Sequence, residues 1–168
     1  MSNSFSWRDF IPVTFITFLF LSQIVIGFCF LSVVSQIKLL AYIGAALYGL
    51  SGIVFGMLPV LEFRKKGGVQ RGKSYIHTRQ LVASGIFSIV RHPQYVTFIL
   101  WAFAGMLLFQ HWSVILLGIP ILPLIYIDLL RADEDAIEKF GEDYKAYMKK
   151  VPRANFLLGI LRRFKREK

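Results

Sequence analysis

Three long runs without a charged side chain limit what this sequence can fold into. Phe10 to Ile37 is 28 residues with no Asp, Glu, Lys or Arg, and Leu39 to Leu61 is another 23. His92 to Ile127 adds 36 more, whose only ionisable groups are His92, His111, Tyr95 and Tyr126. A helix needs about 20 such residues to cross the hydrocarbon of a bilayer. The third run is long enough for two helices and contains a polar break, Gln110-His111-Trp112-Ser113. The pattern predicts an all-α polytopic membrane protein with spans near 11–34, 39–61, 94–109 and 113–129. Pro120 and Pro123 remove backbone donors from the last span and favour a kink there.

Charge is segregated from these runs. The chain carries 20 Lys and Arg against 10 Asp and Glu, a net +10, although only 18% of its residues are charged. With four spans, every basic residue except Lys38 falls on one side, and the positive-inside rule makes that side the cytoplasm. Both termini are then cytoplasmic. Trp7 and Trp112 fall near opposite interfaces. The terminal cluster Arg162, Arg163, Lys165, Arg166 and Lys168 suits anionic lipid headgroups, so the charge does not call for nucleic acid. One membrane domain, 1–168, accounts for the length. The single Cys29 excludes a disulfide within the chain and a cysteine-cluster metal site. The first run is too long for a signal-peptide core.

Two polar segments border the apolar runs. Residues 79–95 contain an apolar stretch too short to span, which leads into Arg91-His92-Pro93-Gln94-Tyr95. Pro93 suits the first turn of a helix, whose N-terminal donors and dipole attract a carboxylate or phosphate; anchoring of Arg91 and His92 at headgroups is the plainer reading. Residues 131–153 read as an amphipathic cytoplasmic helix. Ile137, Phe140, Tyr144, Tyr147, Met148 and Val151 share one face, and Gly141 is a local weak point. Asp133 projects into that apolar stripe, Glu134 lies at its border and Asp135 faces solvent. A buried acid needs a cationic partner, such as Arg91, Arg131 or Arg153, or else a polar ligand. Nucleotide-binding glycine loops, the Gly-x-Ser-x-Gly elbow and His-Glu-x-x-His are all absent from the sequence. His77, His92 and His111 are too scattered for a metal site, so no metal is expected.

The stretches Leu81 to Phe87, Arg91-His92-Pro93-Gln94-Tyr95, Phe140 to Tyr147 and Val151-Pro152-Arg153 together resemble the isoprenylcysteine carboxyl methyltransferase family and the related phospholipid methyltransferases. The resemblance implies S-adenosyl-L-methionine as cofactor and a lipidic acceptor, a prenylcysteine-type carboxylate or a phospholipid amine. It carries cofactor contacts to Gln80, Leu81, Val82, Phe87, His92, Pro93, Gln94 and Tyr95. Where the family usually has a Glu-Glu pair, this chain has Ala132-Asp133 followed by Glu134. Asp133 and Glu134 are therefore both candidates for the cofactor acid and for catalysis, and Arg131 is the nearest candidate for the substrate arginine. Two other readings are an NADPH-dependent sterol-type reductase with a similar helical layout, and a non-enzymatic membrane accessory protein with a vestigial pocket.

Overall fold

A computed structural model describes residues 7–30, 37–68 and 79–166, and over these the chain is helical. The end of the first predicted span (31–34) and much of the basic stretch before Arg79, with Arg71, Lys73 and His77, lie outside the described residues. Five helices follow in order: α1 (Trp7–Cys29), α2 (Lys38–Lys66), α3 (Pro93–Phe109), α4 (Trp112–Lys150) and α5 (Phe156–Arg166). A π-turn, Gly52–Met57, interrupts α2, and a 3₁₀ turn, Gly85–Ser88, precedes α3.

α2 and α4 are long and apolar enough to cross a membrane, and only 17% and 28% of their most apolar windows are buried inside the protein. Leu39, Leu50, Leu116 and Ile119 are mainly exposed on these helices. A helix that shows such a surface is no core helix of a water-soluble fold, because contiguous exposed apolar area needs an apolar environment. The chain is a membrane protein. The apolar stretch Thr14–Cys29 and α3 are shorter.

α4 differs from expectation in running unbroken through the predicted junction at residue 130. Between Pro123 and Gly141 there is neither Gly nor Pro, and Leu, Ala, Glu and Lys in this stretch favour helix. Non-helical backbone angles inside α4 occur at Gly141 (φ 58°, ψ −133°), which places a kink there; Pro120 and Pro123 lie within the helix.

The chain divides into two compact units, Met1–Gly49 with Phe98–Leu130, and Leu50–Thr97 with Arg131–Lys168. In the first, Gln23 is 2% exposed and its amide donates to the carbonyls of Ala102 and Val114, both at 3.3 Å. Its polar group is thereby satisfied in an apolar setting. Gly44 permits close helix approach, since a Cβ would stand 2.7 Å from backbone atoms of Ala104 and Leu108. The tight α3–α4 turn needs Gln110 at a positive φ of 49°. The Gln110 amide exchanges two hydrogen bonds with the backbone of Ile37, at 3.1 and 2.9 Å. The second unit holds both polar segments.

Candidate active site

The site begins with the register of α4. Its helical repeat puts Asp133 on the face that buries Tyr144 and Tyr147, while Glu134, Asp135, Glu138, Glu142 and Asp143 are exposed. The facial pattern is the one the periodicity predicts. At Gly141 the left-handed φ reorients the next turns, and Tyr144, Tyr147 and Val151 form a buried cluster against Leu81, Ala136 and Phe140. Pro152 then stops the helix, since it has no N–H to donate.

The end of α4 is tied to the chain ahead of α3. The Arg91 guanidinium donates from Nη1 to the carbonyls of Met148 (3.1 Å) and Val151 (3.2 Å), which helix termination leaves without helical partners. The backbone N–H groups of Arg91 and His92 donate to the carbonyls of Pro152 and Arg153, at 3.0 and 3.1 Å. Farther back, Gly85 has φ 59° and lies so close to the Glu62 carboxylate that a Cβ would stand 2.6 Å from it. The Tyr147 hydroxyl donates to the Phe87 carbonyl, which fixes the 3₁₀ turn over the aromatic cluster.

These ties converge on Asp133, whose side chain is 4% exposed. Oδ2 accepts from Arg91 Nη2 at 2.8 Å and Arg153 Nε at 2.6 Å. Oδ1 accepts from the Tyr144 hydroxyl at 2.7 Å and lies 2.6 Å from His92 Nε2. At that distance from a carboxylate, Nε2 is the protonated ring nitrogen. Burial pushes the Asp133 carboxyl up, but the hydrogen bonds from His92, Tyr144 and Arg153 outweigh it and hold the group well below the usual carboxylate range. For Tyr144 the opposite holds. Burial, and then the Asp133 carboxylate that its hydroxyl serves, push its pKa far up.

Beside this cluster lies a cavity of about 110 Å³ with mainly apolar walls. Of the sequence-predicted residues, Gln80, Leu81, Val82, Phe87 and His92 line it. Pro93 begins α3, and the Tyr95 ring stands edge-on to His92 at 5.8 Å; neither they nor Gln94 is among the lining residues. Asp133, Arg131 and Glu134 do not line it either. Asp133 is buried among its four donors, Arg131 is half-buried and Glu134 faces outward. The other walls are Phe63, Arg91, Ala136, Phe140, Tyr144 and Tyr147. The last four follow one another at helical spacing, so the stripe read as packing is also a cavity wall. Phe63 lies in α2, away from any motif, and had no signal of its own.

Among the described residues two buried side-chain atoms have no hydrogen-bond partner: Glu62 Oε2, which stands 2.9 Å from Lys66 Nζ, and Arg91 Nε. The Arg91 side chain is 6% exposed, yet its Nε has no hydrogen-bond partner. A buried donor in that state costs free energy until an acceptor reaches it. Among the described residues, no group of three His, Cys, Asp or Glu stands close enough to hold a metal ion.

Residues 73–139 match the model of the isoprenylcysteine carboxyl methyltransferase family. Over that segment, about two fifths of its length, the chain is similar to the family. A curated relative, the protein-S-isoprenylcysteine O-methyltransferase of Schizosaccharomyces pombe, is 33% identical over 98 residues. The match covers 53% of this chain and 42% of the relative, so the chain spans under half of that relative's length. No solved structure matches the chain significantly. The matched segment includes Gln80 to His92 and Ala136 of the cavity lining and ends at Lys139, one residue before the Phe140 wall.

Proposed function

We propose that the chain is an integral membrane S-adenosyl-L-methionine-dependent methyltransferase that acts on a prenylcysteine-type carboxylate. The observation that carries this reading is the family-matched segment folded along an aromatic cavity, with a buried, unsatisfied arginine nitrogen at its wall. In its fuller form the protein has four spans, cytoplasmic termini, and basic residues against anionic headgroups.

The residues present fit the cofactor's chemistry. Phe63, Phe87, Phe140 and the two tyrosines offer faces to a flat ring, and Arg91 Nε offers a donor to a carboxylate. The volume is below the roughly 300–1,000 Å³ of whole small-molecule sites, so the cavity takes the ring portion and leaves the rest outside it. When bound, S-adenosyl-L-methionine supplies an electrophilic methyl group on a sulfonium. The protein's part is to hold the two reactants in line and to keep water away, which can supply much of the rate.

Asp133 bears on the acceptor. An amine would have to lose a proton before it could attack, whereas a carboxylate is already ionised at neutral pH. Asp133 accepts from four donors and its pKa is held down, so it is a poor base, and Glu134 faces away from the cavity. The site is therefore equipped to position an acceptor more than to deprotonate one, which favours the carboxylate over the phospholipid amine. This agrees with the name of the curated relative. Asp133 then serves as the group that orients Arg91 and His92.

Calorimetric titration of the detergent-purified protein with S-adenosylhomocysteine, alongside NADPH, tests the cofactor. Saturable binding of the former alone is expected, with affinity reduced about tenfold or more in Arg91→Lys, which keeps the charge but lacks the Nε donor; one charge-assisted bond is worth about 1.5–3 kcal/mol. NADPH binding alone would transfer the site to the reductase class, and binding of neither by folded protein would leave the accessory role. Transfer of a labelled methyl group to a farnesylated cysteine, and not to phosphatidylethanolamine, tests the acceptor.

A further inference from the structure

α5 shows its apolar face to the outside. At about 100° per residue, Leu157, Leu158, Leu161 and Phe164 occupy one arc of roughly 120°. Leu157, Leu161 and Phe164 are 63%, 61% and 65% exposed. The helix rests on the protein by its other side. Gly159 abuts the Ile89 carbonyl with no room for a Cβ, the Phe156 ring lies 5.3 Å from that of Phe55, and Arg163 donates to the Ser88 hydroxyl at 3.2 Å. The Asn155 side chain caps the helix by accepting from the Leu158 N–H at 3.0 Å, so the orientation is built in at both ends.

A helix of 11 residues is too short to span a bilayer, and a large apolar face turned outward needs a non-aqueous occupant. Charge identifies that occupant. α5 contains Arg162, Arg163, Lys165 and Arg166 and no acid, so its charge complements phosphate; Arg163 is turned to Ser88, and Lys165, near the end of the apolar arc, reaches headgroups by its long stem. Its chain already carries two helices long and apolar enough to cross a membrane. A strongly amphipathic, basic, short helix is the form that lies within a membrane interface.

We propose that α5 lies in the headgroup layer, with its leucine and phenylalanine face at the acyl boundary and Arg162 and Lys165 on the phosphates of anionic lipids. Through Gly159 and Arg163 it ties the Ser88–Ile89 stretch, which leads directly into Arg91 and His92, to the membrane surface. This holds whether or not the neighbouring cavity binds S-adenosyl-L-methionine.

The test uses the full chain carrying Cys29→Ser and one spin-labelled cysteine, Leu161→Cys. It is reconstituted into vesicles of phosphatidylcholine, and into equal parts of phosphatidylcholine and phosphatidylglycerol. Collision with oxygen and with a water-soluble nickel chelate reports immersion; Leu116→Cys in α4 and Glu142→Cys serve as lipid and water references. The Leu161 label should meet oxygen readily and the nickel chelate several-fold less than the Glu142 label does. The difference should grow with phosphatidylglycerol and shrink in high salt. A Leu161 label as open to nickel as that at Glu142 overturns the proposal. Shielding from both reagents overturns it in favour of a protein partner, and indifference to phosphatidylglycerol and salt removes the anionic-lipid role. A helix peeled off the protein, revealed by an immobile-to-mobile change at Gly159→Val, should lose none of its lipid immersion.

Discussion

Asp133 joins two cations that would otherwise be buried close together. Replacing it by Asn keeps the shape but withdraws the negative charge from Arg91 and Arg153, which lie 2.8 and 2.6 Å away. Removing one partner of a buried pair costs about 3–5 kcal/mol, so Asp133→Asn should unfold at a markedly lower temperature in detergent. Glu134→Gln, at an exposed position, should stay within about 0.5 kcal/mol of the parent. The same pair of variants separates their proposed roles: if Glu134 were the buried acid, the order would reverse. The pH dependence has a definite sign. Because the folded-state pKa of Asp133 is depressed, its contribution is complete above the unfolded carboxyl value of about 4 and drains away as pH falls below it. The parent should therefore lose stability steeply under acid, and Asp133→Asn should show a shallower decline over that window. The sequence already singled out Asp133 as an acid on an apolar face. It also offered Arg91 and Arg153 as partners, but did not show that both would meet it at once together with His92 and Tyr144, because nothing local in residues 131–153 brings the segment before α3 alongside.

Gly141 turns a single long helix into a cavity wall. Its φ of 58° with ψ −133° is a conformation open to glycine and strained for any L side chain, although nothing lies within 4 Å of where a Cβ would be. Gly141→Ala thus meets conformational cost without steric conflict, about 1–3 kcal/mol. If the helix straightens to avoid that cost, Tyr144 and Tyr147 leave the cavity, and circular dichroism would show equal or greater helix content alongside weaker S-adenosylhomocysteine binding. Unchanged affinity and stability would mean that the kink positions nothing. Helical periodicity exposed the stripe from Ile137 to Val151 but not that its Phe140, Tyr144 and Tyr147, with Ala136, also wall a cavity, because core packing and cavity lining use the same apolar residues. Similarly, the third apolar run was divided correctly at Gln110-His111, where polar residues interrupt it. The continuation of α4 past residue 130 was hidden, since a change from apolar to amphipathic composition looks the same whether or not the backbone pauses.

How many times the chain crosses the membrane follows from which helix ends share a side. α2 and α4 have the length to cross, whereas α3, with 17 residues, is at the lower limit. The paired hydrogen bonds between the Gln110 amide and the Ile37 backbone hold the beginning of α2 and the α3–α4 turn together. If α2 leaves that side for the other, the chain must return through α3 to reach the turn, so α3 has to cross as well. Its shortness is tolerable with flanking side chains reaching the interface. On the proposed four-span orientation, the basic residues Arg64, Lys65 and Lys66 at the far end of α2, and Lys149 and Lys150 at the far end of α4, would share the cytoplasmic side. On a Cys29→Ser background, a membrane-impermeant maleimide applied to intact cells should label Lys38→Cys and Trp112→Cys, and should reach Lys65→Cys and Glu142→Cys only after permeabilisation. Labelling of Lys38→Cys without Trp112→Cys would show that α3 does not cross, and labelling of the opposite set would keep the crossings and invert the orientation.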